Sequence, residues 1–244
     1  MSVTVEDVRT ARDRIRETDI VRQTPVKRSR SLSQRLDASV HLKMEHVQRT
    51  GSFKLRGAYN KLRALRESEE VDHVIAASAG NHAQGVALAA AKMGFESTIV
   101  MLKSAPQAKI DATRGYGATV KLHGQDFQAA QSHAKSLDTS ESVFVHAYDD
   151  PRIVAGQGTT GLEINEQVAG LDTVVVPIGG GGLTGGSARV SAHSHHQSVS
   201  SVSNPKAGQP SRIVSRRGGP ATGTRSRRSL TGSRRAGSRT SRID

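Results

Sequence analysis

A lysine, a small-residue loop and a run of four glycines are the parts of this chain whose types and spacing could do chemistry. Lys54 stands in Thr50-Gly51-Ser52-Phe53-Lys54-Leu55-Arg56-Gly57-Ala58, behind a Gly-Ser turn and at the start of a helical pattern. The positive end of a helix disfavours an ammonium group there, which helps keep the amine neutral, as a Schiff-base nucleophile must be. A solvated surface lysine would give the same letters. The second segment, Ser78-Ala79-Gly80-Asn81-His82-Ala83-Gln84-Gly85, follows an apolar run ending at Ala77. Small residues there leave backbone N–H groups free at a helix start, a cradle for a carboxylate or phosphate. A turn capped by Asn or Ser is the plain alternative. His82 could act as a base, or it could cap or pack. No His or carboxylate partner stands at ligand spacing from it, so no metal is expected.

The third segment is Pro177-Ile178-Gly179-Gly180-Gly181-Gly182-Leu183, after the apolar Val174-Val175-Val176. Glycines let a backbone approach an anion closely, and successive N–H groups can wrap a phosphate. No Lys-Ser/Thr pair follows, so it is not a Walker A loop, and the spacing also fails the dinucleotide fingerprint. A flexible turn would give the same run of letters.

Positioning these segments falls to an alternation of short apolar runs and helical patterns. Thr4 with Asp7 caps a helix at Val5–Thr18. Strands are expected at Val40–Met44, Val74–Ala77, Thr98–Leu102, Thr119–Leu122, Val143–Val145 and Thr173–Ile178. Between and after them the pattern predicts helices at Phe53–Arg66, Asn81–Met93, Pro106–Arg114, Asp126–Leu137 and Ile153–Val168, with Pro106 in a first turn. Such alternation means an α/β chain, its mostly parallel sheet covered by helices on both faces. Ligands in these sheets bind at the carboxyl ends of strands, where all three segments lie.

Composition divides the chain in two. The net charge of +13 is concentrated in residues 195–244, where ten Arg and one Lys face Asp244 alone. All seven aromatics lie between Phe53 and Tyr148. The 195–244 stretch, rich in Ser, Arg and Gly, cannot bury enough apolar area to offset chain entropy, and disorder is expected there. The absence of cysteine excludes a disulfide scaffold and thiolate metal sites. No apolar run is long enough to span a membrane, and the opening residues do not read as a secretory leader, so a soluble cytoplasmic protein is expected.

Together, in this order, the three segments resemble the pyridoxal-phosphate enzymes of the tryptophan synthase β-subunit fold, above all the threonine dehydratases (threonine ammonia-lyases). Those carry S-F-K-x-R-G-A, S-x-G-N-H-A-Q-G and G-G-G-G-L, matched here by Ser52–Ala58, Ser78–Gly85 and Gly179–Leu183. The likeness runs over about residues 5–194 and includes Val154–Thr160. It implies three-layer parallel-sheet domains, incomplete in this chain. A small domain would span about 51–150, and parts of a large one 1–50 and 151–194. It implies pyridoxal 5'-phosphate as cofactor. Lys54 would bind its aldehyde carbon and then remove the substrate α-proton. Phe53 would pack against the pyridine ring and Asn81 would hydrogen-bond the 3'-oxygen. Gly179, Gly180, Gly181, Gly182 and Leu183 would bind the phosphate. Ser78, Ala79, Gly80, Asn81 and His82 would hold an amino-acid carboxylate. The reaction implied is conversion of threonine or serine to 2-oxobutanoate or pyruvate and ammonia, with a serine racemase as the close alternative. Intact members are commonly homo-oligomers.

After Ser194 the resemblance stops. Codons for the family-like strand R-V-V-G-V-Q-P-E-G, read one nucleotide late, give Val199–Ala207. Codons for I-A-D-G-I-A-T-R, read likewise, give Ser229–Arg235. The tail is therefore expected to be out of frame, and weak or absent turnover is expected of the 244-residue chain. A Ser/Arg-rich nucleic-acid-binding arm is the competing account, and it lacks the aromatic residues that stack on bases.

Overall fold

The computed structural model describes residues 3–68, 71–193 and 198–203. Its centre is a four-stranded, all-parallel sheet in the order β5-β4-β3-β6. The strands are β3 (His73–Ala77), β4 (Glu96–Met101), β5 (Thr119–Leu122) and β6 (Ser142–Phe144). His73 pairs with Glu96 and Ala77 with Val100, so β3 and β4 end level at their carboxyl ends. Alternate residues of β3 face opposite layers, as a strand requires. Val74 and Ala76 pack in the larger core with α3 (Lys54–Ser68) and α4 (Asn81–Met93). Ile75 and Ala77 meet Ala130 and Ala134 of α6 (Phe127–Ser136). Helix α5 (Gln107–Gly115) adds Ile110 to the first layer.

A second parallel pair joins β7 (Thr173–Ile178) and β8 (Ser198–Ser203), with α8 (Gly182–His193) between them in the chain. Helix α7 (Pro151–Gln167) packs against both α3 and α8. Its crossing with α3 depends on missing side chains: a Cβ on Gly156 would lie 2.6 Å from Gly57 Cα and 2.7 Å from the Arg56 carbonyl oxygen. Helix α1 (Val5–Arg16) turns Val8, Ala11 and Ile15 inward. The expected cap is present, with Thr4 and Asp7 exchanging side chain–backbone hydrogen bonds.

Helix Asn81–Met93 and strands Thr119–Leu122 and Thr173–Ile178 have the expected bounds. Other elements shift by a residue or two. Pro106 caps α5 from outside instead of lying in its first turn. The strand expected at Val40–Met44 forms, but within an antiparallel hairpin whose other strand the apolar pattern did not reveal. Strand β1 (Val26–Arg28) pairs with β2 (His41–Lys43) across the short helix α2 (Arg30–Leu36). The first strand and the helix are mostly polar and exposed, so no apolar periodicity marks them.

Strand β8 corrects another expectation. It lies in the stretch expected to be disordered, yet it pairs with β7 from Thr173↔Ser198 to Ile178↔Ser203. Parallel pairing satisfies backbone groups along the edge of β7 whatever the side chains are, and a composition argument counts only side chains. The rest of that tail, residues 195–197 and 204–244, lies outside the described residues. Among the described residues no helix is long and apolar enough to cross a membrane.

Candidate active site

Lys54 is the first residue of α3. Burial of that helix start carries its side chain inward, and Nζ donates to the Ala147 carbonyl oxygen at 2.8 Å. Burial alone pushes the amine below the ordinary lysine range, because the charged form loses hydration. Nζ also lies 5.4 Å from the centroid of the Phe53 ring. The lysine is thus no solvated surface group, although its letters allowed one.

The second loop leaves β3 at Ser78, which stays tied to the sheet by donating its N–H to Val100 O at 3.1 Å. Gly80 N donates to Ser78 Oγ at 3.1 Å. Gly80 stands at the N-cap of α4, where no side chain caps the first turn, and a Cβ on it would meet nothing within 4 Å. Asn81, the first helical residue, is exposed beside it. One turn later Gly85 brings α4 against α3: its Cβ would lie 3.2 Å from both Lys54 C and Leu55 N. That close approach seats the loop next to the lysine.

His82 turns into the core instead of toward the loop. Nε2 lies 3.1 Å from Val145 O, and Nδ1 has no partner among the described residues. Burial first, then repulsion from Lys54, pushes its pKa down to about 4 against the pull of the Val145 carbonyl. At neutral pH the ring is uncharged, and the Val145 contact makes Nε2 the donor.

The third loop joins β7 to α8. Gly181 adopts φ +86, a backbone state that side chains disfavour. A Cβ on Gly179 or Gly181 would meet nothing within 4 Å, so that backbone is open. A Cβ on Gly180 would strike the Tyr148 ring at 2.2 Å. Gly185 N donates to Gly181 O at 2.7 Å and starts α8, with Gly182 and Leu183 in its first turn. The turn therefore ends at a helix N-terminus, where N–H groups and the helix dipole favour an anion.

These three loops come together although they lie far apart in the chain. The amine of Lys54 is held by Ala147, and the next residue, Tyr148, rests on the glycine turn. Sequence reasoning gave no residue of this 145–148 segment a role in the site, and the segment carries no motif. Its only signal is position, since a turn leaving the carboxyl end of a parallel strand borders the ligand crevice.

A buried ion cluster behind the lysine was also missed. Arg56 is fully buried, with Nε and Nη2 on Glu45 (2.9 and 2.8 Å) and Nη1 and Nη2 on Glu163 (2.6 and 2.9 Å). Lys43 Nζ shares Glu163 at 2.6 Å. Burial opposes the charge on Arg56, but the two carboxylates outweigh it and raise its affinity for the proton. The cluster ties α3 to β2, to the 3-10 turn Glu45–Val47 and to α7. A surface hollow of about 550 Å³ beside α2, lined by Arg28, Arg30 and Asp37 among others, holds no residue of the three loops.

Comparison with known proteins agrees with this geometry. Residues 17–238 match the family described as pyridoxal-phosphate dependent enzyme. L-threonine ammonia-lyase of Thermotoga maritima is 45% identical over 220 residues, covering 90% of this chain and 54% of that protein. Threonine deaminase isoform 2 from Solanum lycopersicum superposes with a TM-score of 0.75 at 38% identity, over 83% of this chain and 58% of that one. Serine racemase from Dictyostelium discoideum gives 0.77 at 33% identity, over 83% and 66%. The chain spans about half the length of the curated relatives it matches. With the small-residue loop and the glycine turn on parallel strand ends, the lysine held beside them by the turn after β6, and a family match over most of its length, the chain belongs to the pyridoxal-phosphate dependent enzymes.

Proposed function

We propose that this chain carries the cofactor site of a threonine ammonia-lyase for L-threonine or L-serine, with weak or absent turnover by the 244-residue chain itself. Two features support the fit to pyridoxal 5'-phosphate. The Lys54 amine is half-buried, and burial lowers its affinity for the proton. The backbone at Gly179 and Gly181 is open, at the start of a helix. Bound there, the cofactor ring would serve as a sink for the electron pair left at the substrate α-carbon.

The chain's own residues do the rest. Lys54 would hold the cofactor through Nζ and would take the proton from the substrate α-carbon. The glycine turn, Gly179 to Leu183, would hold the phosphate. Asn81 would donate to the ring 3'-oxygen, and Phe53 would pack beside the ring. The backbone of Ser78, Ala79, Gly80, Asn81 and His82 holds the substrate carboxylate at the uncapped start of α4. Threonine then loses its hydroxyl as water and its nitrogen as ammonia. A water molecule enters at the former amino carbon, leaving 2-oxobutanoate; serine leaves pyruvate. In this proposal 51–150 form a small domain and 1–50 with 151–194 belong to a large one, in a cytoplasmic oligomer.

The observation that carries the proposal is the half-buried Lys54 amine, held by Ala147 next to the residue that rests on the glycine turn. Borohydride trapping of cofactor-treated protein, followed by peptide mapping, tests it. Label at Lys54 is expected, and its loss in Lys54→Ala; label on another lysine overturns the proposal. The racemase relatives at TM-scores near 0.77 favour a second outcome, D-serine instead of a 2-oxo acid from L-serine, and product analysis separates the two.

A further inference from the structure

The segment between β6 and α7 carries no motif, yet each of the three loops leans on it. Val145 O faces His82 Nε2 of the second loop, and Ala147 O accepts from Lys54 of the first. Tyr148 meets the third. The place where a Cβ of Gly180 would stand is 2.2 Å from two carbons of the Tyr148 ring, and a Cβ on Gly182 would meet Tyr148 at ordinary contact distance, 3.5 Å. The ring is itself fixed from behind. His146 meets it edge-on, with centroids 4.6 Å apart and planes at 85°. His146 Nδ1 also accepts the N–H groups of Tyr148 and Asp149, at 3.3 and 2.8 Å. Beyond them Asp150 caps α7 and pairs with Lys61 of α3 at 2.9 Å.

We propose that Tyr148 is a positioning residue, its ring propping Gly180 so that the glycine turn keeps a fixed place relative to the Lys54 amine. The packing surface, not the hydroxyl, does this. Phenylalanine should therefore replace it, whereas alanine leaves a gap into which the turn can relax. Tyr148 is only half-buried, so its truncation need not unfold the chain. The proposal rests on the reading of that turn as the seat of the cofactor phosphate.

The test titrates the full chain and its Tyr148→Phe and Tyr148→Ala variants with pyridoxal 5'-phosphate and with pyridoxal, which lacks the phosphate. Binding is followed by absorbance and located by borohydride trapping. Tyr148→Phe should match the unmodified chain. Tyr148→Ala should bind the phosphate-bearing compound about tenfold more weakly while its affinity for pyridoxal stays within about twofold. Equal weakening for both compounds, or none, overturns the proposal. Failure of the unmodified chain to label at Lys54 with either compound overturns the cofactor reading and this proposal with it.

A cofactor-free measurement stands beside the titration. Gly180→Ala should lower the unfolding midpoint, because its methyl and the ring claim one space. Combining it with Tyr148→Ala should remove that penalty. Strictly additive effects overturn the proposal even if Tyr148→Ala proves too unstable to titrate.

Discussion

Replacing Arg56 by methionine should destabilise the chain by about 3–4 kcal/mol at pH 7, and the magnitude follows from what is left behind. The guanidinium is fully buried and binds Glu45 and Glu163 through two bonds each. In Arg56→Met, Glu163 keeps Lys43 at 2.6 Å. Glu45 loses its cation, and its side chain is only 14% exposed. Leaving a buried ion without its partner costs ~3–5 kcal/mol. An unpaired carboxylate can escape by taking up a proton, which at pH 7 costs an ordinary carboxyl group ~3–4 kcal/mol and so bounds the loss. Two consequences separate this account from simple loss of packing. The deficit relative to the parent should shrink as pH falls, because the escape becomes easier. The double variant Arg56→Met/Glu45→Gln should recover about 1–2 kcal/mol, since no stranded charge remains. Arg56→Lys should not restore the parent, because one ammonium cannot face two carboxylates in bidentate fashion. Urea unfolding followed by far-ultraviolet circular dichroism at pH 7 and 5 measures all of these. A single-variant loss below about 1 kcal/mol, or a double variant no better than the single, would refute the reasoning.

Gly156→Ala should destabilise by roughly 2 kcal/mol in the same assay, although alanine in a helix ordinarily gains about 1 kcal/mol over glycine; a net gain would mean that α3 and α7 do not meet at Gly57. His82, whose folded-state pKa lies near 4, takes up its proton in the unfolded chain first as pH drops below about 6.5. It should therefore contribute roughly 3 kcal/mol of stability above that pH, lost on acidification toward 4. That part of the pH dependence should vanish in His82→Gln, and an unchanged slope argues against a buried neutral ring. For residues beyond Ser194, sequencing the coding DNA should reveal a family-like frame once a single base near codon 196 is restored. An undisturbed frame, with salt-sensitive RNA binding by a 195–244 peptide, would favour a basic arm instead.

Much of the architecture was legible because burial writes periodicity into letters. The β-branched Val174-Val175-Val176 and the Ala-rich Asn81–Met93 name their own secondary structure, and Thr4 with Asp7 announce a cap that forms as expected. Of the hairpin only β2 was marked; the three residues of β1 are mostly polar and exposed, a run too short to register. Strand β8 was hidden for another reason: edge pairing is a backbone property, and composition is silent about it.

At the site, local letters were enough to name the lysine, the small-residue loop and the glycine turn, because each needs particular residue types to do its own chemistry. Their assembly was not local. Whether Lys54 ends in solvent or inside depends on α4 approaching it at Gly85 and on the Ala147 carbonyl 93 positions away. Tyr148 and the Arg56 cluster have no motif because any residue offering the right ring or charge at that spot would serve. Only packing, which decides which spot that is, could identify them. Sequence alone thus determined the reactive groups and the alternation of elements. Tertiary structure decided which of those groups lose water, which meet, and what holds them there, because hydration and contact are set by neighbours remote in the chain.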